Sequence, residues 1–246
     1  MRLIILAAGQ GARLSPATDN IPKTLLDIGG GVTVLDRQLE AARSSGIDQV
    51  RVVTGFQSEQ IESKLRDRSD LGLDLDILYN PFYRTTNNLV SIWMARSAMD
   101  DDFILINGDN VFRPSVLAGL VNDSGPIQAT ISRKSRYDGD DSKVLIENEV
   151  ISRISKDLPE ESTSAEWVGI CAVRGEGLSG FVGVLDRVIR LQAFRDEPHY
   201  LPFYQELIDS GQSMRFREVP SDSWAEIDYQ MDLDFVRTNL TRFEDH

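Results

Sequence analysis

The sequence contains very few of the residues that build disulfide frameworks or histidine-rich metal centres. Its 246 residues include one cysteine, Cys171, and two histidines, His199 and His246. A single cysteine excludes an intramolecular disulfide and a thiolate metal cluster, and it fits a reducing cytoplasm. We interpret both histidines as surface residues, and we expect a cytoplasmic protein.

Long apolar runs and positive charge are also scarce. The opening apolar run, from Leu3 to Ala8, is too short for the core of a signal peptide, and no later stretch reaches transmembrane length. The chain has 26 Lys and Arg against 39 Asp and Glu, for a formal net charge of −13. Such a field disfavours nonspecific binding to nucleic acid or anionic membrane. A polyanionic substrate would therefore need local neutralisation by a few cations, backbone amides and a divalent ion.

The first half of the chain alternates buried strands with amphipathic helices. The pattern predicts strands over 2–8, 49–54, 74–79 and 103–107, and helices over 33–45, 58–68 and 87–99. This alternation predicts an α/β fold with a Rossmann-like, mostly parallel sheet and helices on both faces. The second half is richer in strands, which are predicted over 127–133, 143–146, 150–155, 167–173 and 214–219. Helices are predicted near 178–194, 200–209 and 229–243.

A glycine loop follows the first strand directly, in the segment LAAGQGARLSPATDNIPKTLL. A strand, a glycine loop and a basic residue together can wrap backbone N–H groups around phosphates. Gly9 and Gly11 allow close approach of the main chain. The spacing is not a Rossmann fingerprint, because Leu14 stands at the third glycine position. It is not a P-loop either, because no Gly-Lys-Ser/Thr follows.

The loop resembles the signature LAAGxGxRLxPxTxxxPKxLL of nucleotidyltransferases, which join a nucleoside triphosphate to a phosphorylated sugar or alcohol. The chain is most similar to the small cytidylyltransferases of the phosphocholine and phosphonate type. Further matching segments are NPFYRTTNNLVSIWMAR at 80–96, NGDNVF at 107–112 and WAEIDYQMDL at 224–233. The resemblance implies a nucleotidyltransferase (GT-A-like) fold with a β-rich acceptor-binding insertion. It also implies one domain over 1–246, with a nucleotide-binding half (1–112) and an acceptor-binding half (113–246) that supplies the second metal ligand.

The implied reaction is in-line attack by an acceptor phosphate or phosphonate oxygen on the α-phosphorus of CTP, which expels pyrophosphate. Both reactants are anions, so catalysis depends mainly on positioning and charge neutralisation. The resemblance implies that Arg13 binds the triphosphate and that Lys23 bridges the α-phosphate and the acceptor phosphate. It assigns Mg²⁺ as cofactor, held by Asp109 and Asp228, since carboxylate oxygens suit this cation. The residues expected to bind the nucleotide are Leu6, Ala7, Ala8, Gly9, Gly11, Thr86, Asn87, Asn88, Ser91 and Asp109.

The acceptor is the least determined part of the prediction. The residues expected to contact it are Lys143, Glu166, Gly169 and Glu226. The phosphocholine enzymes carry an aromatic pair before the hairpin strand, but here that stretch reads DGDDSKVLI, which favours an anionic or hydroxylated acceptor. Aromatic residues that suit either a choline cage or the core are Tyr137, Trp167, Tyr204, Trp224 and Tyr229. Asn107 stands where relatives often carry an acid.

Several alternatives stay open at this point. The polar side chains at 86–91 suit simple helix capping as well as base recognition. A sugar-1-phosphate or inositol-phosphate nucleotidyltransferase would carry similar loop and metal motifs. A catalytically inactive nucleotide-binding regulatory relative is disfavoured, because all four charged motif residues are present. We expect CTP and a small phosphate- or phosphonate-bearing acceptor as partners, with no nucleic acid or membrane partner, and we leave a homodimer open.

Overall fold

The computed structural model describes residues 1–197 and 199–245, so His246 lies outside the described residues. The strands in chain order are β1 (Arg2–Ala7), β2 (Asp27–Gly29), β3 (Val32–Thr33), β4 (Gln49–Thr54), β5 (Asp74–Tyr79), β6 (Phe103–Asn107), β7 (Asn110–Phe112), β8 (Ile127–Ser132), β9 (Lys143–Glu147), β10 (Val150–Ser155), β11 (Ala165–Val173), β12 (Met214–Glu218) and β13 (Trp224–Glu226). The helices are α1 (Val34–Ser44), α2 (Ser58–Asp67), α3 (Asn88–Met94), α4 (Pro114–Val121), α5 (Glu176–Val188), α6 (Gln192–Asp196), α7 (Leu201–Asp209) and α8 (Gln230–Thr238). None of the described helices is both long and apolar enough to cross a membrane.

A nine-stranded sheet forms the centre of the fold, in the order β10-β9-β11-β6-β1-β4-β5, with β8 pairing to β11 and β12 to β8. The strands β6, β1, β4 and β5 pair in parallel, as the alternation of strands and helices predicts. Strand β11 then pairs antiparallel with β6 and starts the β-rich part of the second half. The predicted fold class is confirmed by this topology.

Strand β1 lies between two apolar layers, which explains its continuous apolar sequence. Ile4 and Leu6 pack into one core, while Leu3 and Ile5 pack into the core on the other face. Both faces of a central parallel strand are covered, so every position of β1 after Arg2 is apolar. Strand β1 ends at the glycine loop, on the same sheet edge where its parallel neighbour β6 ends.

Some helices and strands differ from the sequence predictions. The helix predicted over 87–99 is α3 followed by a 3₁₀ turn at Ala95–Ala98, and the closing helix ends at Thr238 before a second 3₁₀ turn, Leu240–Phe243. The region 178–194 holds two helices, α5 and α6. The pattern missed the short strands β2, β3, β7 and β13, because two or three residues show no periodicity. It also missed α4.

One short pair of strands brings the two halves of the chain together at the site. Strand β13 pairs antiparallel with β7, so that Glu226 lies opposite Asn110. The backbone N–H of Ile227 donates to the carbonyl of Asp109 at 3.2 Å. This pairing places the acidic residues after β6 next to those after β13, although more than a hundred residues separate them in the sequence.

Candidate active site

A cavity of about 780 Å³ opens where β1 and β6 end. Its walls include residues from both halves of the chain. The residues predicted from sequence that line it are Leu6, Ala7, Gly9, Gly11, Arg13, Lys23, Thr86, Asn87, Asn88, Asp109, Glu226 and Asp228. The fold therefore gathers most of the candidate nucleotide and metal residues in one concave site.

The glycine loop has a backbone conformation that favours glycine. Gly11 has a φ of 64°, and a Cβ at this position would lie 3.2 Å from Cγ2 of Thr18. The Thr18 hydroxyl donates to the Gly11 carbonyl at 2.7 Å and fixes the turn. Ala8 is buried, and its carbonyl accepts a hydrogen bond from Phe56 N–H at 3.0 Å, so Ala8 supports the loop without lining the cavity.

Lys23 lies between two carboxylates at the centre of the site. Its Nζ donates to Oδ2 of Asp109 at 2.7 Å and to Oδ1 of Asp228 at 2.5 Å. Burial disfavours the charged ammonium, but the two carboxylates outweigh burial and raise the pKa of Lys23 above its usual value. The reciprocal effect of Lys23 and Arg13 lowers the pKa of Asp228 against its own burial. These shifts favour the charged forms of Lys23 and Asp228 at neutral pH.

Glu226 completes a group of three carboxylates. One oxygen from each of Asp109, Glu226 and Asp228 lies within 4.8 Å of the others. Burial within the cavity walls, together with Asp109 and Asp228, raises the pKa of Glu226 to about 8, although its side chain still faces the water-accessible cavity. Oδ1 of Asp109 is buried and has no hydrogen-bond partner among residues 1–197 and 199–245. These donors fit Mg²⁺, which prefers carboxylate oxygens.

Arg13 is held by residues that follow the last strand. Its Nη2 donates to Oδ2 of Asp228 at 2.8 Å, and its guanidinium lies 5.2 Å from the centre of the Tyr229 ring. The Tyr229 hydroxyl lies 3.4 Å from Nη1 of Arg13 and donates to Asp140 at 3.2 Å. The sequence pattern left Tyr229 as a candidate for either a choline cage or the core, and it gave no signal for Asp140.

The polar residues at the start of α3 lie in different environments: some line the cavity and others do not. Asn87 caps the helix, because its Oδ1 accepts from Leu89 N–H at 2.9 Å, and its Nδ2 donates to the carbonyls of Phe194 and Glu197. The Ser91 hydroxyl is buried and accepts from Nδ2 of Asn80 at 3.0 Å, outside the cavity lining. The capping alternative therefore describes the Asn87 side chain, while Thr86 and Asn88 face the cavity.

Three of the four predicted acceptor residues lie outside the cavity lining. Lys143 is buried at the start of β9, and Gly169 lies in β11. Glu166 pairs with Lys134 at 3.0 Å, and burial with the nearby Asp141 raises the pKa of Glu166 to about 7. The further cavity-lining residues near the predicted acceptor side are Asn107, Gly139, Asp140, Ser142, Lys156, Asp157, His199, Tyr200 and Leu201. His199 is thus a partly buried cavity residue, not the surface residue that we expected. Single residues scattered over loops give no sequence period by which to find them.

Comparison with known proteins shows the family of the chain. Residues 2–135 match the nucleotidyl transferase family model, and the chain belongs to this family. It is 26% identical to a CTP:phosphoglutamine cytidylyltransferase of Campylobacter jejuni over 95% of this chain and 98% of that relative. It is 32% identical to a CMP-5'-(3-aminopropyl)phosphonate synthase of Streptomyces rubellomurinus over 57% of this chain, but the match spans 23% of that relative's length.

The fold is shared with solved structures of the same class. The inositol-1-phosphate CTP transferase from T. maritima superposes with a TM-score of 0.79 at 20% identity, covering 100% of this chain and 98% of that one. The sequence prediction of a nucleotidyltransferase with its characteristic fold is therefore confirmed.

Proposed function

We propose that the protein is a Mg²⁺-dependent cytidylyltransferase. It couples CTP to a small phosphorylated or phosphonylated alcohol and releases pyrophosphate. The observation that carries this proposal is the placement of Lys23 between Asp109 and Asp228, with Arg13 and the glycine loop facing the same cavity. The names of the Campylobacter and Streptomyces relatives support cytidine as the base and a small acceptor.

The charges in the cavity suit the joining of two anions. In this proposal Arg13 neutralises the leaving pyrophosphate, and Lys23 contacts the α-phosphate and the acceptor oxygen. Asp109 and Asp228 would hold Mg²⁺, with Glu226 beside them. The bound ion would supply charge neutralisation on the phosphates. Loss of one such preorganised contact lowers the rate by about a hundredfold or more.

The proposed nucleotide and acceptor halves, 1–112 and 113–246, meet at this cavity. The glycine loop and the start of α3 contribute the proposed nucleotide side. The second half contributes further walls through Gly139, Asp140, Ser142, Lys156, Asp157 and residues 199–201. The buried free thiol of Cys171 is compatible with a reducing cytoplasm, which we keep as the proposed location.

Two of the aromatic candidates for a choline cage, Trp167 and Tyr204, do not support choline as the acceptor headgroup. Trp167 and Tyr204 are buried in the core with ring centroids 4.5 Å apart. They therefore pack against each other rather than lining the cavity. A quaternary ammonium is recognised by aromatic faces that are open to the ligand. The polar cavity lining instead favours an acceptor that carries hydroxyl or amino groups beside its phosphate or phosphonate.

Pyrophosphate release tests the proposal directly. The purified protein with Mg²⁺ is offered each of four nucleoside triphosphates together with phosphocholine, aminoalkyl- and hydroxyalkyl-phosphonates, inositol phosphate or a hexose 1-phosphate. We expect release with CTP and a small phosphate or phosphonate acceptor, and loss of release in Lys23→Ala. Release that requires UTP or dTTP and a hexose 1-phosphate would replace the proposal by the sugar-nucleotide alternative. Nucleotide binding without release for any pair would favour a regulatory relative.

A further inference from the structure

Asn107 presents a polar group to the cavity that the mechanism above leaves unused. It ends strand β6, two residues before Asp109, and its side chain lines the cavity. Its Oδ1 accepts a hydrogen bond from the Tyr200 hydroxyl at 2.7 Å. Its Nδ2 has no hydrogen-bond partner within the described ranges 1–197 and 199–245. One end of the amide is therefore anchored, and the other end carries free donors.

Tyr200 is well placed to anchor this amide. Its side chain is buried, and its ring packs edge-on against Trp167 and Tyr204, with centroids 5.6 and 5.7 Å away. Burial raises the pKa of Tyr200 far above its usual value, so the hydroxyl keeps its proton. Because the Tyr200 hydroxyl donates a hydrogen bond to Oδ1 of Asn107, the amide is oriented so that its Nδ2 group points away from Tyr200 and keeps its donors available.

Gly169 provides the space that the amide occupies. Gly169 has a φ of 80°, in the part of β11 where the pairing register with β8 shifts. A Cβ at this position would lie 2.6 Å from Nδ2 of Asn107, so any side chain would displace the amide. The sequence expectation for Gly169 was contact with the acceptor. The structure instead shows Gly169 packed against Asn107.

We propose that Asn107 is a further substrate-contacting residue, whose Nδ2 donates to an anionic oxygen of the acceptor's phosphate or phosphonate group, with Tyr200 as its positioning residue. The inference rests on the proposed function. Tyr200 and Gly169 both belong to the second half of the chain, and they hold this amide on the proposed acceptor side of the cavity. The glycine loop, which we assign to the nucleotide, extends from the neighbouring strand β1. A carboxylate at this position would add negative charge beside Asp109 and repel the acceptor. A neutral amide offers a donor without that charge.

The test compares substitutions that change hydrogen bonding with little change of shape. Asn107→Asp replaces the donor by an acceptor, and we expect the KM for the phosphonate or phosphate acceptor to rise about tenfold or more. The Kd for CTP should stay within about twofold, since the donor serves the other substrate. Tyr200→Phe keeps the ring but releases the amide, and we expect a rise of about threefold to tenfold in the same KM.

Tyr204→Phe is the matched control. Tyr204 belongs to the same aromatic cluster, and its buried hydroxyl has no hydrogen-bond partner in the part of the chain that the structure describes. We expect its acceptor KM to equal that of the wild type. In an Asn107→Ala background, Tyr200→Phe should cause no further rise, because the positioning residue has lost the group that it positions.

The outcomes separate this inference from the function on which it rests. Wild-type protein that releases no pyrophosphate with any acceptor refutes the proposed function. If the wild type turns over and the acceptor KM is unchanged in both Asn107→Asp and Asn107→Ala, the role of Asn107 is refuted but the proposed function is not. Additive effects of Tyr200→Phe in the Asn107→Ala background refute the positioning role of Tyr200. Circular dichroism and Tm measurements on each variant confirm folding, and Asn107→Ala carries the test if Asn107→Asp does not fold.

Discussion

The Lys23 ammonium lies 2.5 Å from Oδ1 of Asp228, which joins two residues 205 positions apart in the sequence. The same ammonium also binds Asp109. A basic residue after the glycine loop thus neutralises the carboxylates that we propose as metal ligands. In the protein without substrate, Lys23 supplies part of the positive charge that Mg²⁺ would bring.

The first prediction concerns Lys23 and stability. Lys23→Ala removes the cation between Asp109 and Asp228 and leaves Arg13 as the remaining described ion-pair partner of Asp228. We expect the free energy of unfolding to fall by about 2 kcal/mol in EDTA, which corresponds to about 5 °C in Tm. Mg²⁺ should raise the Tm of this variant more than that of the wild type, because the ion replaces the lost charge.

Differential scanning fluorimetry with and without Mg²⁺ measures both effects. Arg96→Ala is the control, since Arg96 pairs with Asp186 at 2.6 Å away from the cavity lining. Its Tm should respond to Mg²⁺ as the wild type does. An identical Mg²⁺ response in Lys23→Ala would show that Lys23 does not balance a metal site.

The second prediction concerns the carboxylates themselves. Asp109→Asn and Asp228→Asn each remove one negative charge and one strong ligand. We expect both to lower turnover by about a hundredfold or more and to weaken Mg²⁺ binding in a titration by calorimetry. Asp186→Asn, on the surface, should change neither quantity. Retained turnover and Mg²⁺ affinity in both site variants would remove these residues from the metal site.

The third prediction concerns the support of Arg13 by Tyr229. Tyr229→Leu removes the ring and the hydroxyl that contact the guanidinium. We expect the KM for CTP to rise about threefold to tenfold, as loss of a cation–π contact would cause. Tyr229→Phe should show a smaller rise. Phe235→Leu is the control, since Phe235 is an exposed aromatic of α8, the helix that Tyr229 precedes, and lies outside the cavity lining. Equal KM values for all four proteins would contradict this role.

The fourth prediction concerns pH and the start of α1. Asp36 forms a capping box with Thr33 and pairs with Lys64 and Arg68. Burial disfavours the Asp36 carboxylate, but hydrogen bonds from Lys64, Thr33 and Arg68 outweigh burial and lower its pKa below 3.8. The stabilisation is therefore present above about pH 4 and is lost as the pH falls through the folded-state pKa.

Asp36→Asn tests this sign. We expect it to lower the free energy of unfolding at pH 7 by about 2 kcal/mol, because Lys64 and Arg68 lose the Asp36 carboxylate, although Arg68 still pairs with Glu40. The difference from the wild type should shrink as the pH falls below about 4. Urea unfolding at pH 7, 5 and 3.5 measures the difference. A deficit that is constant with pH would show that the Asp36 charge contributes nothing.

The glycine loop and Asp109 could be predicted from sequence, because each closely follows a strand with a near-continuous apolar sequence. Asp228 was assigned from the family resemblance, because β13 before it is short and partly exposed. The sequence pattern also predicted the parallel half of the sheet, including β4, β5 and β6 with unchanged bounds. The pairing of β13 with β7 was missed. Each strand has three residues and gains its stability from long-range packing rather than from local propensity.

The acceptor side could not be predicted from sequence to the same extent. Lys143 and Glu166 were expected there from resemblance, but the cavity is lined instead by Asn107, Tyr200 and loop residues such as Asp140. Tyr200 reaches the cavity only because α7 packs against the second half of the sheet. Such a placement depends on tertiary contacts between distant segments, and no local pattern encodes it.

The most direct test of the account is ³¹P NMR of the protein with CTP, Mg²⁺ and each acceptor of the panel. The account predicts that the β- and γ-phosphates of CTP appear as pyrophosphate, while CMP becomes joined to a small phosphate or phosphonate acceptor. The coupled product should be absent with Asp109→Asn. Hydrolysis of CTP without a coupled product, or coupling confined to UTP or dTTP with a hexose 1-phosphate, would contradict the account.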